Sequence, residues 1–144
     1  QKLPYINPGS SKQNKCVLAA YQVKITSHDS KVTFVASGSE VELALEVQKQ
    51  LKENNIDSKV VSMPCQELFD RQSDDYKNEI LENDNVIFTI EAGSIVSWQK
   101  YIKNSGVSLG IDKFGESAPY KEVYNHYGLT SDKIVTLVQK IIRN

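Results

Sequence analysis

The apolar positions of this chain fall into short continuous runs that alternate with longer amphipathic stretches. Residues 32–36 form the clearest run, and their β-branched and aromatic side chains predict a strand covered on both faces. Gly38 permits a tight reversal, because glycine adopts positive φ angles at little cost. Apolar residues at helical spacing then predict a helix from about Glu40 to Glu53, with Ser39 and Glu42 at the spacing of a capping box.

The alternation of strands and helices continues to the end of the chain. Further strands are predicted over residues 16–23, 58–64, 86–90 and 107–111, and helices near 74–81, around Trp98, before Gly128 and after Thr130. The strand at 16–23 precedes a turn and is expected to pair antiparallel at an edge. The pattern therefore predicts an α/β fold of three layers (α/β/α), doubly wound, whose mostly parallel five-stranded sheet has one antiparallel edge strand.

The first fifteen residues differ from the rest, because they contain Pro4, Pro8 and Gly9 and no sustained periodicity. They are predicted to be a linker or arm from a preceding domain, and residues 16–144 to form one domain. Since the chain does not begin with methionine, we also expect it to be a fragment of a longer protein.

Composition narrows the class of partner. The chain has 144 residues, 17 basic and 18 acidic, and a net charge of −1, which disfavours nucleic acid and membranes as partners. Cys16 and Cys65 form no C-x-x-C pair, and no signal peptide is recognisable, which favours a reduced, cytoplasmic protein.

The predicted strand ends carry no complete catalytic or cofactor-binding motif. Glu40 and Glu42 occupy the helix start that a nucleotide phosphate would need after Gly38. The two histidines lie in no metal-binding spacing, and Cys65 has no partner identifiable from the sequence. We therefore assign no catalytic, cofactor-binding or metal-binding residue.

A smaller set of residues at the strand ends is a candidate for contacts with another subunit or with a regulatory ligand. Glu91 is the strongest of them, because a carboxylate at the end of an apolar strand needs partners if it is buried. The full set comprises Ser37, Glu91, Gly115, Glu116 and Ser117. Trp98 and Tyr101, three residues apart on one helix, are expected in the core or at an interface.

Four stretches together resemble the C-terminal domain of transketolases. They are Val35-Ala36-Ser37-Gly38-Ser39-Glu40-Val41-Glu42-Leu43-Ala44, Val60-Val61-Ser62-Met63-Pro64, Glu91-Ala92-Gly93 and Phe114-Gly115-Glu116-Ser117-Ala118-Pro119. They occur in the order of the family and at its approximate spacing, and the resemblance runs from about Lys31 to the end.

The resemblance implies a thiamine-diphosphate-dependent transferase that moves a two-carbon ketol unit between sugar phosphates in the pentose phosphate pathway. Such enzymes are homodimers that hold the cofactor, with Mg2+ or Ca2+, between two domains preceding the C-terminal one. The resemblance thus implies partners in those preceding domains and in a second subunit, with sugar phosphates bound by the other domains. No catalytic residue of the family maps onto this chain.

Two functions follow as hypotheses. In the first, the chain is a structural, dimer-supporting domain that is inactive alone. In the second, it is a regulatory module that binds a small ligand in the crevice at the strand ends, where open α/β sheets usually bind ligands. A stand-alone hydrolase is a distant third, because the nucleophile motif is missing.

Overall fold

The computed structural model describes residues 15–82, 84–111 and 120–143. The strands are β1 (Tyr21–Ile25), β2 (Val32–Ala36), β3 (Ser58–Ser62), β4 (Val86–Ile90) and β5 (Ser108–Leu109). The α-helices are α1 (Glu40–Glu53), α2 (Gln66–Asp70), α3 (Asp74–Leu81), α4 (Tyr120–Tyr127) and α5 (Ser131–Ile142), and 3-10 helices cover Lys15–Leu18 and Val96–Tyr101.

The strands form one sheet in the order β1-β3-β2-β4-β5. β1 pairs antiparallel with β3 at one edge, and the other neighbours are parallel. In the centre, Phe34 lies opposite Val60 on one side and Phe88 on the other. The predicted five-stranded, mostly parallel sheet with one antiparallel edge strand is confirmed.

Helices cover both faces of the sheet, so that all five residues of β2 and of β3 are buried. Because side chains alternate along a strand, Phe34 packs into the core beneath α1, α4 and α5, whereas Val35 packs into a second core with α2, α3 and the 3-10 helix Val96–Tyr101. This arrangement gives the three predicted layers. No helix in the part of the chain that the structure describes is long and apolar enough to cross a membrane.

Three element predictions need correction. The apolar stretch predicted as a strand over 16–23 begins as a 3-10 helix, and the strand starts only at Tyr21, because Ala19 has a φ of 68° that interrupts extended backbone. The segment around Trp98 is a 3-10 helix and not an α-helix. β5 is limited to Ser108–Leu109. The predicted arm over residues 1–15 lies outside the described residues except for Lys15, and the domain boundary stays a prediction.

The start of α1 also differs from the prediction. Gly38 does adopt a positive φ of 53°. Ser39, however, makes no side-chain cap, and its hydroxyl donates to Glu40 Oε1 at 2.6 Å. The expected capping box with Glu42 is therefore wrong, because the buried carboxylate of Glu40 needs this donor.

A buried polar network lies near the amino ends of the central strands. The Lys59 side chain is 1% exposed, and its Nζ lies 2.6 Å from Glu82 Oε1 and 3.2 Å from the carbonyl oxygen of Glu79. Asn85 Nδ2 donates to Glu82 Oε2 at 2.9 Å and to Thr33 Oγ1 at 3.0 Å. This network joins β2, β3 and the end of α3 at the edge of the sheet opposite the predicted crevice.

Candidate functional site

A cavity of about 360 Å³ lies at the carboxyl ends of β2, β3 and β4. These strands are neighbours in the sheet, so the residues that follow them meet at one edge. The described residues that line it are Ser37, Met63, Pro64, Cys65, Gln66, Glu67, Glu91, Ser94, Ser97 and Trp98. We call it the strand-end cavity.

Two of the predicted site residues line this cavity together. Ser37 directly follows β2 and Glu91 directly follows β4, and the register pairs the last residues of these strands, Ala36 and Ile90. The other three predicted residues, Gly115, Glu116 and Ser117, lie outside the described residues. A role of the set as interface or ligand contacts stays a prediction.

Glu91 is half-buried and hydrogen-bonded. Its Oε2 accepts from the Trp98 indole Nε1 at 3.1 Å, and the backbone amide of Ala92 also donates to the carboxylate. Burial and then the negative charge of Glu40 raise the pKa of Glu91, against the lowering effect of these two donors. The ionised carboxylate is thus less well stabilised here than in water.

Trp98 links this carboxylate to the hydrophobic core. Its side chain is 3% exposed and packs edge-to-face against Tyr101, with ring centroids 6.2 Å apart. In the amide orientation that satisfies both groups, Gln66 accepts from the indole at 3.2 Å and donates to the carbonyl oxygen of Ser97 at 3.1 Å. The sequence prediction placed Trp98 in the core or at an interface but missed its contact with Glu91, although a buried indole N–H usually requires an acceptor.

Asp70 holds together the two elements that form one wall of the cavity. Its carboxylate accepts from Lys100 Nζ at 2.5 Å and from Tyr101 Oη at 2.8 Å, which ties the end of α2 to the 3-10 helix Val96–Tyr101. Burial pushes the pKa of Asp70 upward, but these two hydrogen bonds and the positive charges of Lys100 and Lys77 together leave the pKa below its ordinary value. The wall that carries Gln66 and Trp98 is therefore fastened by ionic and aromatic contacts.

A second carboxylate lies behind the first, at the start of α1. Glu40 is 5% exposed, and its Oε1 accepts hydrogen bonds from the hydroxyls of Ser39 and Tyr124. Burial and then the bond to Glu40 raise the pKa of Tyr124. The contact connects α4 to α1 across 84 residues of sequence, a separation that a local pattern does not indicate.

The chemistry open to the cavity is hydrogen bonding and cation binding. None of the described residues that line it is basic, and two of them are glutamates. Cys65 is a free thiol whose Sγ lies 3.6 Å from Glu67 Oε2. Within residues 15–82, 84–111 and 120–143, no three His, Cys, Asp or Glu side chains are grouped so that they could hold a metal ion.

Comparison with known proteins connects this fold to one family. A family model described as the transketolase-like C-terminal domain matches residues 19–130. The transketolase of Bacillus subtilis is 42% identical over 145 residues, which cover 99% of this chain and 22% of that protein. The chain therefore spans about a fifth of the length of this relative.

Solved structures agree with the sequence comparison. The chain is similar to a Pichia stipitis transketolase in complex with sedoheptulose 7-phosphate, with a TM-score of 0.86 and 29% identity over 99% of this chain and 20% of that one. It is also similar to a chain described as a split-gene transketolase, an inactive β4 tetramer, with a TM-score of 0.73, 25% identity, and coverage of 98% of this chain and 47% of that one.

Proposed function

The chain belongs to the transketolase family and corresponds to the C-terminal domain of its members, and we propose that it supports the assembly of an enzyme that transfers a two-carbon ketol unit between sugar phosphates in the pentose phosphate pathway. The observation that carries this proposal is the match of the family model to residues 19–130, together with a chain that spans 22% of the Bacillus subtilis transketolase. Most of the enzyme is therefore expected to lie in other domains.

The described lining of the strand-end cavity does not fit thiamine diphosphate and its metal ion. A diphosphate needs cationic or amide donors, whereas the strand-end cavity presents Glu67 and Glu91 and no basic side chain among its described lining residues. We assign the cofactor, with Mg2+ or Ca2+, and the sugar-phosphate substrates to the preceding domains. A supporting role for this domain is the simplest function consistent with that division.

The solved relatives support the same division. The split-gene transketolase chain is described as inactive, and this chain covers 47% of it. A chain that contains a domain of this fold can thus assemble with itself without being active. We propose that this domain contacts the preceding domains and the second subunit of a cytoplasmic homodimer.

A domain exchange tests the proposal. The matched domain of the Bacillus subtilis transketolase, which is 42% identical, would be replaced by residues 16–144 of this chain. We expect the chimera to form a dimer that transfers ketol units, and the 144-residue chain alone to give no heat with thiamine diphosphate and Mg2+ in calorimetry. Micromolar cofactor affinity of the isolated chain, or a folded, cofactor-loaded chimera without ketol transfer, would contradict a supporting role.

A second candidate function is the binding of a small regulatory ligand. The observation that favours it is the strand-end cavity itself, whose volume of about 360 Å³ is in the range of small-molecule sites.

A further inference from the structure

The strand-end cavity has a charge pattern that selects among ligand classes. Its described lining contains the carboxylates of Glu67 and Glu91 and the hydroxyls of Ser37, Ser94 and Ser97, but no lysine, arginine or histidine. Phosphates and carboxylates would meet negative charge there without a compensating cation. The lining instead suits a ligand that donates hydrogen bonds and carries positive charge.

The Glu91 carboxylate has capacity for a further hydrogen-bond donor. The indole of Trp98 bonds to Oε2, and the amide of Ala92 supplies a second donor. An ionised carboxylate accepts at about four positions, so these two donors do not saturate it. Gly93 places no side chain beside Oε1, where a Cβ would come within 3.6 Å of that oxygen.

Among the described residues that line the cavity, none supplies a positive charge to compensate that of Glu91. Burial and the neighbouring Glu40 both disfavour the ionised form, and they raise the pKa of Glu91 in spite of its two donors. Glu40 has its own donors in Ser39 and Tyr124, both of which are uncharged. A positive group in contact with Glu91 would supply the missing compensation in a site partly shielded from water.

We propose that the strand-end cavity binds a small organic cation, whose ammonium group contacts the Glu91 carboxylate and whose uncharged polar end bonds to the serine hydroxyls of the wall. The inference rests on the second candidate function, ligand binding, and not on the supporting role in ketol transfer. It specifies the ligand class that the candidate function left open.

Trp98 provides a direct readout, because it is the single tryptophan of the chain and bonds to Glu91. The 144-residue protein would be titrated with 4-aminobutan-1-ol, a monocation at neutral pH, while tryptophan emission is recorded. The matched neutral compound is 1,4-butanediol, which has the same chain length and no charge. We expect a saturable emission change in the millimolar range with the amine, and none with the diol.

Variants locate the contact. Glu91→Gln keeps the shape and an acceptor for Trp98 but removes the charge, and it should weaken amine binding by about 10- to 100-fold, as expected for a charge-assisted hydrogen bond. Glu53→Gln changes an exposed carboxylate at the end of α1 and should keep the wild-type affinity. Far-UV circular dichroism confirms that each variant is folded. If Glu91→Gln does not fold, the comparison of amine and diol on the wild-type protein decides the question.

The proposal is overturned if the amine leaves Trp98 emission unchanged, or if the diol or inorganic phosphate binds as well as the amine. It is also overturned if a folded Glu91→Gln variant binds with wild-type affinity. None of these results alters the outcome of the domain exchange, so the failure of ligand binding and the failure of the supporting role are distinguishable.

Discussion

The Glu82→Gln substitution removes the charge that faces the buried Lys59 ammonium group while it leaves the size of the side chain unchanged. The two groups lie 2.6 Å apart, and the lysine side chain is 1% exposed, against 35% for the glutamate. The glutamate can be hydrated in part when the pair is broken. The ammonium group cannot, so the variant leaves a poorly compensated charge in the interior.

The size of the effect follows from the remaining partners. Removing one member of a buried ion pair costs about 3–5 kcal/mol. The carbonyl oxygen of Glu79 still accepts from Lys59 at 3.2 Å, and Glu82 is partly exposed, so the cost should lie toward the lower end. We expect a loss of about 2–4 kcal/mol in the free energy of unfolding, or roughly 10 °C in the melting temperature of a domain of this size.

The loss of unfolding free energy and its cause can be measured by urea denaturation of the wild type, the two single variants and the double variant of a double-mutant cycle. Lys59→Met removes the ammonium group and keeps most of the side-chain volume, so the Lys59→Met/Glu82→Gln double variant should be more stable than Glu82→Gln alone. The exposed pair between Lys52 and Asp57 is the matched control, with side-chain exposures of 54% and 32%. Asp57→Asn should leave the urea midpoint close to that of the wild type.

Two results would refute this reasoning. If Glu82→Gln unfolds at the wild-type midpoint, the lysine does not depend on its carboxylate partner. If Lys59→Met destabilises the Glu82→Gln variant further, the cost arises from lost lysine contacts and not from an uncompensated charge.

Two further predictions concern the carboxylates at and behind the strand-end cavity. The pKa of Glu91 in the folded protein is raised above its ordinary value near 4.5. Above this raised pKa, the ionised carboxylate lowers the stability of the folded state. The loss of stability disappears as the pH falls below the pKa of Glu91 in the unfolded chain. Glu91→Gln should therefore compare more favourably with the wild type in unfolding free energy at pH 7 than at pH 4; an equal difference at both pH values would contradict the raised pKa. Tyr124→Phe removes one donor from the buried Glu40 carboxylate and leaves Ser39 as a donor, so we expect a loss of about 1–2 kcal/mol in chemical denaturation. Tyr127→Phe on the same helix is the control and should cost less, and equal losses would argue against a special role of the Glu40 contact.

Local patterns in the sequence were enough to predict most elements of this fold. The run at 32–36, the helix from Glu40 to Glu53 and the helix near 74–81 agree with the structure, because period and turn chemistry act between near neighbours. The antiparallel edge strand and the meeting of Ser37 with Glu91 could also be predicted, since parallel strands bring their carboxyl ends to one edge. The motifs at those ends were sufficient to identify the family.

Contacts between distant residues were decided only in three dimensions. The Glu40 carboxylate accepts a hydrogen bond from Tyr124, 84 positions later in the sequence. It also accepts one from Ser39, and the Ser39 hydroxyl therefore does not cap the helix as its spacing predicted. Lys59 lies in a strand whose five residues are all buried, and its ammonium group donates to the Glu82 carboxylate, 23 positions later in the sequence. The physical reason is common to all these cases. A buried charge must be hydrogen-bonded or paired, and its partners are the groups that lie close to it in the packed fold, whatever their separation in the sequence.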